Sequence, residues 1–145
     1  MKKTNPKGKK DKVYTKAKMS VTNYPIGDFL IRIKNAAMAR GREASANNTK
    51  LIKAVAQALK KEGLLEEVLE ENGKIVVTLA YRRKEPVIMD LKIISRPGIR
   101  VYASVDVLEK KRGPSFYILS TSSGIKSSKE AIKLRKGGEI IAEIW

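Results

Sequence analysis

The sequence predicts a mixed α/β (α+β) fold built as two small domains, and three observations carry that prediction. Two stretches before residue 63 place their apolar residues at the helical period. After residue 63 the period changes to two, as strands require. A turn signal at Pro97-Gly98 then separates this unit from further strand-like runs and one helix-like run. At 145 residues the chain is one ordinary domain or two very small ones, long enough to bury a core without disulfides or metal.

Residues 1–20 hold eight Lys and one Asp, with almost nothing to bury. Such a stretch cannot offset its ordering entropy, so residues 1–22 are expected to form a disordered basic arm. The first domain is placed at residues 23–95. In "YPIGDFLIRIKNAAMAR", Ile26, Phe29, Leu30, Ile33 and Ala37 make one apolar stripe, and Pro25 suits a first helical turn with Asn23 as cap. In "NNTKLIKAVAQALKKEGLL" the expected stripe is Leu51, Ala54, Val55, Ala58 and Leu59, with Asn48 or Thr49 as cap and Gly63 as stop. "LLEEVLEENGKIVVTLAY" reads as a hairpin turning at Asn72-Gly73. Its five Glu between residues 62 and 71 make an edge that should not face phosphate. "PVIMDLKIIS" reads as a third strand of the same unit.

The second domain is placed at residues 96–145. "RVYASVDVL" and "FYILSTS" read as strands joined by the basic loop "EKKRGPS". "SSKEAIKLRK" is the one expected helix, with Ser127 and Glu130 at capping-box spacing and Gly137 as stop, and "EIIAEIW" closes the chain as a strand.

Composition narrows the chemistry. With no Cys and no His, thiolate chemistry, imidazole catalysis and Cys/His zinc sites are excluded. The formal net charge of +16 favours a polyanionic partner, nucleic acid before an anionic membrane. No apolar run is long enough to span a bilayer, and the Lys-rich start lacks the apolar core of a secretory signal.

Between residues 120 and 130 the chain carries five Ser and one Thr. Ser123 and Lys126 stand at the S-x-x-K spacing of penicillin-recognising enzymes, which raises a serine–lysine hydrolase as an alternative. The companion S-D-N and K-T-G elements are absent. A structural reading gives Gly124 to a turn and Ser127 to a helix cap, leaving Ser120, Thr121 and Ser122 without a local task. A hydroxyl both donates and accepts, which matches the ribose 2′-hydroxyls displayed in the wide minor groove of an RNA helix. DNA lacks that second partner, so a DNA-architectural protein is the weaker nucleic-acid reading. Arg32, Lys34, Lys50, Arg96 and Arg100 are candidate phosphate contacts, and Tyr102 a candidate stacking ring, each weighed against a plain solvated or half-buried residue.

"SRPGIRVY", "STSSG" and "GGEIIAEIW", in that order and spacing, resemble the small-subunit ribosomal protein eight family, universal and of bacterial type. "YPIGDFLIRIKNA", "TKLIKAVAQALKKEG" and the following hairpin resemble its N-terminal half. The resemblance implies an N-terminal α-β-α-β-β unit packed on a mostly β C-terminal, RNA-binding domain with one helix. It implies a structural, non-enzymatic constituent of the small ribosomal subunit, located in the cytoplasm. Such a protein binds the central domain of small-subunit rRNA directly, helps assemble the platform and sits beside other small-subunit proteins. No cofactor, metal, membrane or small-molecule substrate is implied. By motif, Ser120, Thr121 and Ser122 would meet the RNA minor groove and backbone, and Gly124 would permit the approach. Gly138 and Glu139 would lie close to the same RNA helix, flanked by Arg96 and Tyr102, with Arg32, Asn35 and Lys50 as phosphate contacts on the N-terminal helices. Three departures stand out: Tyr24 where the family has a capping Asp, "GPSFYI" in place of a glycine-rich stretch, and the Lys-rich arm.

Overall fold

The computed structural model describes residues 24–145. The expected arm over residues 1–22 and the expected cap Asn23 lie outside the described residues. Helix α1 (Pro25–Met38) starts with proline in its first turn, and Tyr24 occupies the cap position without a side-chain capping bond. Its buried face is Ile26, Phe29, Leu30, Ile33 and Ala37, the stripe read from the sequence, closed by Gly27. Strand β1 (Glu43–Asn47) follows, then helix α2 (Lys50–Lys61). The Thr49 hydroxyl accepts from the Ile52 amide and caps α2, and Gly63 takes the left-handed conformation just past its end. The buried stripe is Ile52, Val55, Ala56 and Leu59, so it is rotated from the expected one. Leu51 is left 46% exposed, because two apolar residues stand side by side and only packing chooses between them.

Strands β2 (Leu65–Glu71) and β3 (Lys74–Leu79) form the expected hairpin. Asn72 and Gly73 both have positive φ, as a tight two-residue hairpin turn demands. With β1 they make an antiparallel sheet in the order β1–β3–β2. The glutamate-rich β2 is therefore an edge. A two-stranded ribbon, β4 (Tyr81–Arg82) and β5 (Glu85–Pro86), comes next. Its turn residues Arg83 and Lys84 are both left-handed without being glycine, which costs about 1–2 kcal/mol each.

The stretch read as a third strand of the first unit forms only β6 (Leu91–Ile93), and β6 joins the other sheet. There it pairs with the last strand, β10 (Gly138–Ile144), through Leu91–Ile144, Lys92–Glu143 and Ile93–Ala142. "RVYASVDVL" also differs from its reading. Only β7 (Tyr102–Ala103) is strand, and α3 (Val105–Lys110) follows, capped by the Ser104 hydroxyl with Asp106 in its first turn. The alternation of Val105 and Val107 imitates a strand, but the cap and the macrodipole favour a helix. The C-terminal part thus holds two short helices rather than one. Strands β8 (Phe116–Thr121) and β9 (Gly124–Ser127) lead into α4 (Ser128–Lys133). The Ser127 hydroxyl accepts from the Glu130 amide, as the capping-box spacing predicts. The helix ends through left-handed Arg135, not Gly137.

The second sheet is antiparallel in the order β9–β8–β10–β6, with β7 also paired to β10. Helices α1 and α2 lie between the two sheets: α1 touches β1 and β6, and α2 touches β2 and β9. One hydrophobic core consequently runs through both parts, joining Phe29, Leu30, Ile52 and Leu59 to Ile75, Leu79, Leu91, Ile118 and Ile144. Each such side chain contributes about 1.5–3 kcal/mol on burial. A smaller cluster of Leu108, Leu119, Ala131 and Ile140 seats α3 and α4.

Candidate nucleic-acid interface

Register in the second sheet brings three of the sequence candidates into one row. Ser120 of β8 stands opposite Glu139 of β10, and Glu139 stands opposite Tyr102 of β7. Residues directly opposite each other in antiparallel strands share a face, so the three side chains point the same way. The Tyr102 ring is 70% exposed. The Glu139 carboxylate accepts from an Arg100 guanidinium N–H at 3.0 Å. Arg100 in turn lies over the Tyr24 ring, 5.9 Å from its centroid.

The loop carrying Arg96, Arg100 and Tyr102 is held from beneath. Arg96 and Ile99 exchange two backbone hydrogen bonds of 2.9 Å around Pro97 and left-handed Gly98. Ser95 is fully buried; its hydroxyl accepts from the Val101 amide at 2.9 Å and donates to the Val101 carbonyl. The Tyr24 hydroxyl donates to the Ser95 carbonyl at 2.7 Å. Burial pushes the Tyr24 phenol above its ordinary range, with Arg100 pulling it back. Sequence reading passed over Ser95 and Tyr24 as braces. The available signal was a lone hydroxyl ending the apolar run "LKIIS".

Two of the glycines have different reasons. Gly124 has φ near +106°, and a Cβ there would meet open space, so the turn requires it and nothing protrudes above it. At Gly138 a Cβ would fall 2.2 Å from the Ser120 carbonyl oxygen, and at Gly137 2.3 Å from the Ala103 carbonyl oxygen. The Gly-Gly pair is therefore demanded by close packing inside the protein.

The hydroxyls also divide. Thr121 donates to the Gly124 carbonyl at 2.8 Å and accepts from the Ser123 amide at 3.1 Å, so it holds the turn. Ser122 is exposed and accepts from the Lys136 ammonium at 3.3 Å, a cation the sequence reading did not single out. Ser120 faces the row. Lys126 is engaged by the Glu130 carboxylate, 3.7 Å away, rather than by Ser123.

A groove separates this row from the starts of α1 and α2. Arg100, Ser120 and Glu139 form one wall, and Tyr24, Thr49 and Leu51 the other. Lys50, exposed at the first position of α2, sits in sequence between the lining residues Thr49 and Leu51 but does not itself line the groove. Arg32 and Asn35 are not part of it. Arg32 donates to the Ser45 carbonyl at 3.0 Å and lines an adjacent groove with Asn47 and Lys74, while Asn35 is exposed one turn further along α1. Lys34 is occupied with Asp90 at 3.3 Å. Among the described residues, no cluster of Asp and Glu could hold a metal ion, and no helix is long and apolar enough to cross a membrane.

The family model described as Ribosomal protein S8 matches residues 24–145, all of the described chain. The chain belongs to the ribosomal protein S8 family. It is similar to the small ribosomal subunit protein uS8 of Nitratidesulfovibrio vulgaris strain Miyazaki F, 42% identical over 122 residues, covering 83% of this chain and 97% of that protein. It is also similar to uS8 of Roseiflexus castenholzii, 41% identical over 133 residues (88% and 100% covered), and to uS8 of Caldanaerobacter subterraneus subsp. tengcongensis, 44% identical over 127 residues (83% and 96%). A ribosomal protein S8 is structural and not an enzyme, which closes the serine–lysine reading on independent grounds. Its place is the ribosome, in the cytoplasm.

Proposed function

We propose that this protein binds the central domain of small-subunit rRNA directly, helps assemble the platform and remains there beside other small-subunit proteins. The observation that carries this reading is the row Ser120–Glu139–Tyr102, flanked by Arg100 and Arg96. Short hydroxyls let the sheet approach the shallow RNA groove, an exposed ring is free to stack, and the cations meet phosphates. Residues 96–145 supply most of this surface, with Gly124 opening the approach and Ser122 beside Lys136 extending it. Glu139 cannot accept from phosphate. It aims Arg100, and its remaining acceptor capacity suits a base amino group or a 2′-hydroxyl. Lys50 contributes across the groove, and Arg32 and Asn35 form a second, weaker phosphate contact on α1. Thr121 and Gly138 act indirectly, through the turn and the close strand pair.

Hydroxyl-radical footprinting of the full chain on intact small-subunit rRNA tests the reading. Protection of one helical segment of the central domain, lost in Ser120→Ala combined with Arg100→Gln, is the expected result. Protection elsewhere in the rRNA, or none, would sink it.

A further inference from the structure

Resting on that reading, we propose that the groove at the C-terminal end of α1 docks an acidic segment of a neighbouring small-subunit protein, which inserts an apolar side chain between Met38 and Met89. The groove encloses about 610 Å³ and is lined by Met38, Pro86, Val87, Ile88 and Met89, with Arg40 and Arg82 at its margin. Met38 is 59% exposed and Met89 76%, the latter the highest exposure of a large apolar residue among the described residues. Thioether side chains adapt to varied apolar partners, so a methionine-lined floor suits an inserted side chain and offers nothing to sugar or phosphate.

The rim specifies the charge of the occupant. Arg83 and Lys84 form the turn of the β4–β5 ribbon with φ near 55° and 68°, where Asn-Gly would sit without strain. Two long cations are thus held at a turn that disfavours them. Arg40 braces this turn, donating to the Lys84 carbonyl and pairing with Glu85 at 3.1 Å, which neutralises the nearest carboxylate. Arg82, Arg83 and Lys84 have no ion-pair partner among the described residues. An apolar floor beneath uncompensated cations matches a protein segment with an apolar anchor among Asp and Glu, as in an interface with a dry centre and a charged rim.

RNA is the competing occupant, and position argues against it. The 14 residues of α1 separate this groove from Tyr24 and the Ser120 row by about 21 Å. The groove therefore remains free while the row is engaged.

A photo-reactive phenylalanine analogue at position 89, in the full chain, tests this in purified small subunits, with position 134 as an exposed control. Expected is an adduct with one protein, mapped to an apolar residue flanked by Asp or Glu. Its yield should fall at least fivefold when Arg82, Arg83 and Lys84 are all replaced by Gln, with the Ser120-row footprint unchanged. An adduct with rRNA, an adduct within a Lys/Arg-rich segment, or no adduct in subunits that contain the chain overturns the proposal. A chain that never enters subunits instead refutes the parent reading, and is recognised by its absence from the purified particles.

Discussion

Gly138→Ala separates a packing requirement from an RNA-approach requirement. The family motif places this glycine close to the RNA helix, which leaves open whether the position needs glycine for RNA or for packing. In the structure its missing Cβ faces inward, 2.2 Å from the Ser120 carbonyl oxygen and 3.0 Å from the carbonyl carbon, both backbone atoms that cannot swing away. Contacts below 3.0 Å are essentially never made by real Cβ atoms, so strands β8 and β10 must part by about 0.8 Å. Overpacking of this kind costs about 1–3 kcal/mol. The lower unfolded-state entropy of Ala returns at most about 1 kcal/mol. Because both contacts are with backbone, the cost lies at the upper end and the net is about 2 kcal/mol; at about 4 °C per kcal/mol for a chain of this size, the melting temperature should fall by roughly 8 °C, read by near-ultraviolet circular dichroism of Trp145 and the tyrosines. Gly124→Ala is the internal comparison. It meets no atom within 4 Å and carries only the strain of its φ, about 1 kcal/mol. Rank order is the decisive readout: Gly138→Ala should destabilise more and Gly124→Ala less. A Gly138→Ala protein that keeps its melting temperature and loses affinity for a central-domain RNA fragment would refute the packing argument outright.

Ser120→Ala should weaken RNA binding about fivefold, the loss of one neutral hydrogen bond, with the salt dependence of affinity unchanged; a shallower salt slope in that variant would mean that Ser120 supports a cation instead. Thr121→Val removes both bonds that close the β8–β9 turn and should cost about 1–2 kcal/mol in urea unfolding, whereas an unaltered unfolding midpoint would free that hydroxyl for the RNA. The Ser115 hydroxyl, and then Lys111, hold the Glu143 carboxyl below its usual range. A depressed carboxyl stabilises the fold above its unfolded pKa, about 4.3, and that stabilisation fades as pH falls through the folded value. Glu143→Gln should therefore flatten part of the stability loss seen on acidification below about pH 4.5, and an identical acid profile would contradict the assignment. Deleting residues 1–20 removes a net +7, and should lower the salt slope of RNA binding while leaving cooperative unfolding intact; loss of the unfolding transition would show that the segment belongs to the core.

Where structure follows from neighbours along the chain, the sequence was legible. The α1 stripe, the Thr49 and Ser127 caps, the Gly63 stop and the Asn72-Gly73 turn each depend on residues within about four positions, and each stands where the pattern put it. Local ambiguity explains the errors nearby. Leu51 and Ile52 are equally apolar, and Val105 with Val107 satisfies both a strand and a short helix. The resemblance named Ser120, Glu139 and Tyr102 separately, and only the strand pairings put them in one row, while Thr121 and Gly138 also serve the turn and the close strand pair.

Charge, the absence of Cys and His, the helices, the hairpin and the hydroxyl cluster were all determined by the sequence itself, since composition and short-range periodicity need no partner. Tertiary structure alone decided that β6 joins the C-terminal sheet, that Ser120, Glu139 and Tyr102 stand in one row, and that Tyr24 and Ser95 brace Arg100. Those facts rest on strand pairings between residues 19 to 53 positions apart and on a hydrogen bond across 71. Backbone hydrogen bonding is the same for every residue, so the choice of partner strand is set by how the whole core packs, and no local pattern encodes it.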